Sequence, residues 1–104
     1  MPTIEVVEQH SLESRVVLHR INEAIIKLQT KYADDIEHPS FNWSHGVEYS
    51  VLKFYLVADG HAVSGTLTIA PSRVTVVIKL PLIGIFVRRQ IEDEALKRLE
   101  ELLQ

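Results

Sequence analysis

The spacing of hydrophobic positions changes along the chain, and each change marks an element. From Thr3 to Glu8 apolar and polar residues alternate, with Ile4 and Val6 on one side, as in a short strand. Ser11 then offers a helix N-cap, because its hydroxyl can accept an amide that the first turn leaves unpaired. From Leu12 to about Ile36 the period lengthens to that of a helix. Val17, Ile21, Ala24, Ile25, Leu28 and Tyr32 form one stripe, Glu23 and Lys27 stand four apart on the opposite side, and Val16 and Ile26 fall outside the stripe. Asp34-Asp35 frays this helix and Pro39 is expected to stop it, since it pushes residue 38 out of the α region.

His38 to Glu48 is the least regular stretch. It predicts only a weak strand, carried by the alternation of Phe41 and Trp43. Tyr49 to Val57 is a clear strand, with Leu52, Phe54 and Leu56 on one face and Val51, Lys53 and Tyr55 on the other. Asp59-Gly60 signals a hairpin, because both residue types tolerate positive φ. The next strand turns Val63, Leu67 and Ile69 inward and Ser64, Thr66 and Thr68 outward. After the turn Ala70-Pro71-Ser72-Arg73, the residues Val74, Val76, Ile78 and Leu80 point inward and Thr75, Val77 and Lys79 outward, until Pro81 ends the ladder. A second helix runs from about Ile85 to Leu103. Its stripe is Ile91, Ala95, Leu96, Leu99, Leu102 and Leu103, with Asp93 and Lys97, and Glu94 and Arg98, as i,i+4 pairs. Together these predict an α+β fold: an antiparallel β-sheet of about four or five strands with two amphipathic helices on one face, in the order β-α-β-β-β-β-α.

Composition narrows the class without naming a function. The 104 residues fit one domain spanning the whole chain, and 46% hydrophobic with 24% charged residues is a globular balance. A formal net charge of −3 argues against general attraction to nucleic acid or anionic membrane. With no cysteine, disulfides, thiolate metal sites and thiol catalysis are all excluded. The N-terminal Met1-Pro2-Thr3-Ile4-Glu5 has no signal-peptide character, so a cytoplasmic location is expected and the acceptor motif Asn42-Trp43-Ser44 is discounted. The longest apolar run, Leu80 to Val87, is far short of the ~20 residues of a membrane span.

Candidate chemistry is sparse. His38 and His45, with Glu37 and Glu48 nearby, sketch a mixed metal site, but the spacing fits no ligand motif, and no metal or other cofactor is expected. His10, just ahead of the first helix, suits a backbone hydrogen bond or packing on the sheet edge. Ser64-Gly65 lies in a strand and not in a nucleophile elbow; Gly65 marks a bulge or the close approach of a helix or large side chain. Arg88 and Glu92 project from one side of the second helix, as an ion pair, an anion receiver or a solvated rim, and Arg89 and Lys79 could enlarge a basic patch there. Leu82, Ile83, Ile85 and Phe86, in the uncharged run joining strand to helix, form either a buried plug or an exposed lip that contacts a partner. No catalytic residue is assigned.

The order of Ile4-Glu5-Val6, His10-Ser11-Leu12, Trp43, Val63-Ser64-Gly65-Thr66-Leu67, Val74-Thr75-Val76, Leu80 and Ile91-Glu92 resembles the polyhydroxyalkanoic acid system protein family. These are small bacterial proteins encoded near genes of polyhydroxyalkanoate storage granules. The resemblance spans Ile4 to Leu103. It departs from the family in a longer Pro39 to Asp59 stretch and in a less basic Pro81 to Arg89 junction, which keeps Phe86 without a following lysine. What it implies is an accessory role with no established catalytic residues. The first expectation is therefore a non-enzymatic interaction protein. Its partner would be a protein, the polymer granule surface or a second copy, met by the junction or by the outward face carrying Tyr55 and Val77. The alternative is a small-molecule binder or minor enzyme with a pocket between sheet and helices, near Trp43, Arg88, Glu92 and His10. Nucleic-acid binding by the sheet is disfavoured, since Tyr55 is its single outward aromatic residue.

Overall fold

Period-two alternation in five segments builds a single antiparallel sheet. The structure is a computed structural model that describes residues 3–58, 60–80 and 85–104, and the side chains of all of these except 85–87. Its elements are β1 (Thr3–Gln9), α1 (Ser14–Lys31), β2 (Ile36–His45), β3 (Ser50–Ala58), β4 (His61–Ile69), β5 (Arg73–Lys79) and α2 (Ile85–Leu102). Strands β2 to β5 form a meander and β1 closes the far edge, giving the order β1-β5-β4-β3-β2.

The register aligns the apolar positions on the helix side. Ile4 faces Ile78 and Val6 faces Val76, while Leu67 lies between Val76 and Leu52, and Leu52 pairs onward with Trp43. Val17 and Ile21 of α1, with Leu99 and Leu103 at the end of α2, complete a core with Ile4, Val6, Ile69, Val74 and Leu80. Each such side chain contributes about 1.5–3 kcal/mol by leaving water. The expected stripe of α2 is the observed one, with Ile91, Ala95, Leu96 and Leu102 packed around Leu99 and Leu103. Among the described residues no polar or charged side chain is buried.

Gly65 has the packing role its position suggested. A Cβ there would fall 2.1 Å from the Val77 carbonyl oxygen and 2.7 Å from Cζ of Phe54. The Phe54 ring therefore covers the bare backbone of its cross-strand partner Gly65. Gly60, at φ 76°, lies between the paired Ala58 and His61, in a backbone conformation that glycine adopts without steric cost.

Several boundaries differ from expectation, each for a tertiary reason. The first helix begins at Ser14, with Glu13 as its N-cap, and Ser11 does not cap it. Residues 10–12 are still tied to the sheet: the amide of His10 donates to Ser72 O at 2.9 Å, and the amide of Leu12 donates to His10 Nδ1 at 3.2 Å. The helix ends at Lys31, earlier than Ile36, because Ile36 is drawn into pairing with Ala58. Pro39 consequently stops no helix. It lies in the edge strand β2, where a missing amide costs least, beside an irregularity between Glu37 and Ser40 with His38 at φ 53°. The stretch expected to be a weak strand is a ten-residue one, because ladder bonds to β3 need no apolar pattern of their own. Glu23 approaches His19 at 3.9 Å, not Lys27. Glu94 and Arg98 form the expected bridge at 3.1 Å, whereas among the described residues no bridge joins Asp93 and Lys97.

Candidate functional site

Two antiparallel helices on one sheet face leave a seam, and in this chain the seam is open over much of its length. Near one end Arg20 of α1 donates to the main-chain carbonyls of Leu102, at 3.0 Å, and of Gln104. This satisfies carbonyls that the end of α2 leaves without helical partners, and it sets a cation at the negative end of that helix. Beneath this clasp is an apolar hollow of about 160 Å³, floored by Ile21, Ile25, Leu67, Leu99 and Leu102.

Towards the other end of α1 the seam widens past Leu28, which lines this hollow and the two that adjoin it. Leu28 belongs to the expected core stripe, yet it is 36% exposed and faces Ile91 and Ala95 across the gap. The rim is mainly cationic. Arg20, Lys27, Lys31, Lys97 and Arg98 outnumber Glu23, Asp93 and Glu94, on a chain whose net charge is −3. Glu94 is bonded to Arg98, so Lys27 and Lys31 supply the cationic character near Leu28, with the Lys31 ammonium 5.3 Å from the centre of the Tyr32 ring. An apolar floor under a basic rim matches the chemistry of an amphipath with an alkyl body and an anionic end.

A second depression lies at the other edge of the sheet. Trp43 and His45, two apart on β2 and so on one face, stack with ring centres 5.8 Å apart. With Arg15, Leu18, His19 and Asn22 of α1 they line a hollow of about 290 Å³. The Nδ1 of His45 is 3.0 Å from the Ser50 hydroxyl.

Of the residues singled out from the sequence, Trp43, His10 and Arg88 do not converge. Arg88 is exposed and donates to the Thr3 carbonyl at 3.0 Å, which ties the start of α2 to the β1 edge; Glu92 and Arg89 are exposed. Trp43 lies on β2, at the opposite edge of the sheet from Arg88. His10 bridges neither: its Nε2 donates to the Ala70 carbonyl at 3.1 Å while Nδ1 accepts from Leu12. Its ring thus pins the start of the β1–α1 connection to the β4–β5 turn. Leu82 and Ile83, and the side chains of Ile85 and Phe86, lie outside the described residues. His38 and His45 stand at opposite ends of β2, roughly 20 Å apart at strand rise, too far to share an ion. Among the described residues no group of three or more potential ligands surrounds a metal-sized space.

The cleft residues Leu28, Lys27 and Lys31 were missed because their signals had ordinary readings. A leucine in a helical stripe reads as core, and lysines four apart on a helix read as a solvated face. Only the Leu28 to Ile91 gap turns them into one feature.

This architecture defines a class: an open antiparallel sheet with both helices on one face and, among the described residues, the other face bare. Among curated proteins none matches the sequence. A solved structure with a related outline is TTHA0849 from Thermus thermophilus, at 15% identity and a TM-score of 0.48 over 98% of this chain and 97% of that one. That likeness is too slight to inform function. The model of the polyhydroxyalkanoic acid system protein family matches residues 4–103, and the chain belongs to that family. Among the described residues no helix is long and apolar enough to cross a membrane.

Proposed function

We propose that this chain is a non-enzymatic accessory protein of the polyhydroxyalkanoate system that docks on the polymer granule surface through the cleft between α1 and α2. The observation that carries the reading is Leu28, a core-stripe residue left 36% exposed between two helices and ringed by Lys27, Lys31 and Arg98. A polyhydroxyalkanoate presents alkyl side chains on a polyester backbone and ends in a carboxylate. The apolar floor suits the first and the basic rim suits the second. Membership of the family supplies the biological setting.

The test is cosedimentation of the purified protein with washed polyhydroxyalkanoate particles. Wild type should pellet with them, and Leu28→Asp should lose at least about tenfold in affinity, as expected when a charge replaces an apolar anchor. Lys27→Glu combined with Lys31→Glu should weaken binding and flatten its salt dependence. Failure of the wild-type protein to pellet with the particles would rule the reading out.

A second reading is favoured by the Trp43–His45 stack. A small planar anion could lie between that stack and Arg15 of α1. Trp43 is the single tryptophan, so its fluorescence reports directly on this hollow. A panel of aromatic carboxylates that leaves the emission unchanged would dispose of it.

A further inference from the structure

The two edges of the sheet are finished differently. At the β1 edge α2 packs alongside, and Arg88 takes the Thr3 carbonyl. At the β2 edge the first half carries Pro39 and an irregularity between Glu37 and Ser40, with His38 at φ 53°. Devices of this kind keep another strand from joining. The second half, Ser40 to His45, is in unbroken register with β3 and carries no proline or lysine. Among the described residues no strand pairs with its outer side.

Ladder phase decides which groups that outer side offers. The Gly46 amide donates to the Tyr49 carbonyl at 2.8 Å, which makes these opposed residues a hydrogen-bonded pair. Such pairs alternate along an antiparallel ladder, so the next are Ser44 with Val51, Asn42 with Lys53 and Ser40 with Tyr55. Phe41, Trp43 and His45 therefore turn their amides and carbonyls away from β3, towards the open edge. Trp43 and His45 are also the β2 residues whose stacked rings wall the hollow of about 290 Å³ beside α1. A strand added antiparallel would lie about 4.8 Å beyond β2. A residue of it hydrogen-bonded to Trp43 turns its side chain to the face of Trp43, into that hollow.

The lining states what that side chain should be. Arg15, Leu18, His19 and Asn22 come from one side of α1, and with the two rings of β2 they include no carboxylate. Arg15 holds Glu13 at 2.8 Å in an ion pair exposed on both sides, which an incoming carboxylate can displace. His19 stands 3.9 Å from Glu23, which lines the α1–α2 seam and not this hollow. We infer that the Ser40–His45 edge takes up an extended peptide of a partner protein as a sixth strand, reading an acidic side chain of it between Arg15 and the Trp43–His45 stack. This site shares its hollow with the planar-anion reading but rests on the strand edge, and it is independent of the α1–α2 cleft.

The test titrates the peptide Ac-Thr-Val-Thr-Glu-Thr-Val-Lys-NH2 into the isotope-labelled full chain by NMR, with Trp43 fluorescence in parallel. Its central glutamate faces the hollow, and its threonines lie beside Ser40, Asn42 and Ser44. The amides of Phe41, Trp43 and His45 should shift and exchange with solvent more slowly, with a Kd of about 1 mM or tighter. Lysine in place of the peptide glutamate, or Arg15→Glu in the protein, should each weaken binding by about fivefold or more. N-methylation of the central glutamate removes its donor to the Trp43 carbonyl and should weaken binding by about tenfold or more. Circular dichroism confirms that Arg15→Glu, at an exposed position, is folded. Absence of these amide shifts, indifference to the peptide charge, or binding that N-methylation leaves intact would each overturn the inference. The same amides shifting on dilution of the protein alone would also overturn it, by giving the edge to a second copy. Peptide binding and pelleting with granules are read on separate surfaces, so either can fail alone.

Discussion

Replacing Gly65 by alanine adds a single methyl group to the middle of β4, and the structure states what it meets. The new Cβ would fall 2.1 Å from the Val77 carbonyl oxygen and 2.7 Å from the edge of the Phe54 ring, against an ordinary contact of about 3.5 Å. Phe54 can rotate away, but only by uncovering the apolar surface it shields. The Val77 carbonyl cannot, since it belongs to the β4–β5 ladder between two central strands. Overpacking of this kind costs about 1–3 kcal/mol, and the unyielding backbone contact puts Gly65→Ala at the upper end. At about 4–8 °C per kcal/mol for a domain of this size, the melting temperature should fall by about 12–24 °C. Thermal denaturation followed by far-ultraviolet circular dichroism measures it. Trimming Phe54 to leucine in the same chain should recover only a minor part of the loss, because the carbonyl contact survives. Gly60→Ala makes a useful comparison. Its φ of 76° is unfavourable for alanine but no atom lies within 4 Å, so the loss there should be conformational, about 1 kcal/mol. A Gly65→Ala variant melting within about 3 °C of wild type would refute the reasoning.

Other positions give separate tests. Arg20→Met keeps the aliphatic stem but loses the donors to the Leu102 and Gln104 carbonyls, so stability should drop by about 1–2 kcal/mol, with the last turn of α2 exchanging amide protons faster by NMR. His10→Ala removes both the donor to Ala70 and the acceptor for Leu12, and urea denaturation should show a loss of about 1–2 kcal/mol with an unchanged m-value. Leu99→Ala, in the middle of the core at 4% exposure, should cost about 2–5 kcal/mol by the same measurement.

The resemblance to the polyhydroxyalkanoic acid system family was carried by short structural words such as Val63-Ser64-Gly65 and Ile91-Glu92, and these are strand and helix determinants, not site residues. That is why the family and the fold could be read together while the site could not. Asp59-Gly60 marks the hairpin where Gly60 takes positive φ, and Gly65 marks a close approach that proves to be the Phe54 ring. Arg88 and Glu92 stood out because two charges shared a side of a helix with apolar residues. In the fold Arg88 is bonded to the Thr3 carbonyl and both side chains are exposed, an arrangement that wheel geometry does not encode.

What the amino-acid sequence determined by itself was whatever depends on local periodicity: five alternating segments, two amphipathic stripes, their order, and the faces that Leu52, Leu67, Val76 and Leu99 turn inward. Period and side-chain direction are properties of a few consecutive residues, so they survive without knowledge of the rest. What only the tertiary structure decided was whatever depends on which element lies beside which. Ile36 left the first helix because Ala58 was there to pair with, and Pro39 became an edge-strand residue as a result. Leu28, identical in pattern to the buried Ile21, was left exposed because α2 stands away from it across the seam. Arg15 and Trp43, far apart in the chain, came to line one hollow only because α1 passes beside the β2 edge of the sheet. Both candidate surfaces are juxtapositions of distant residues, and no local pattern carries that information.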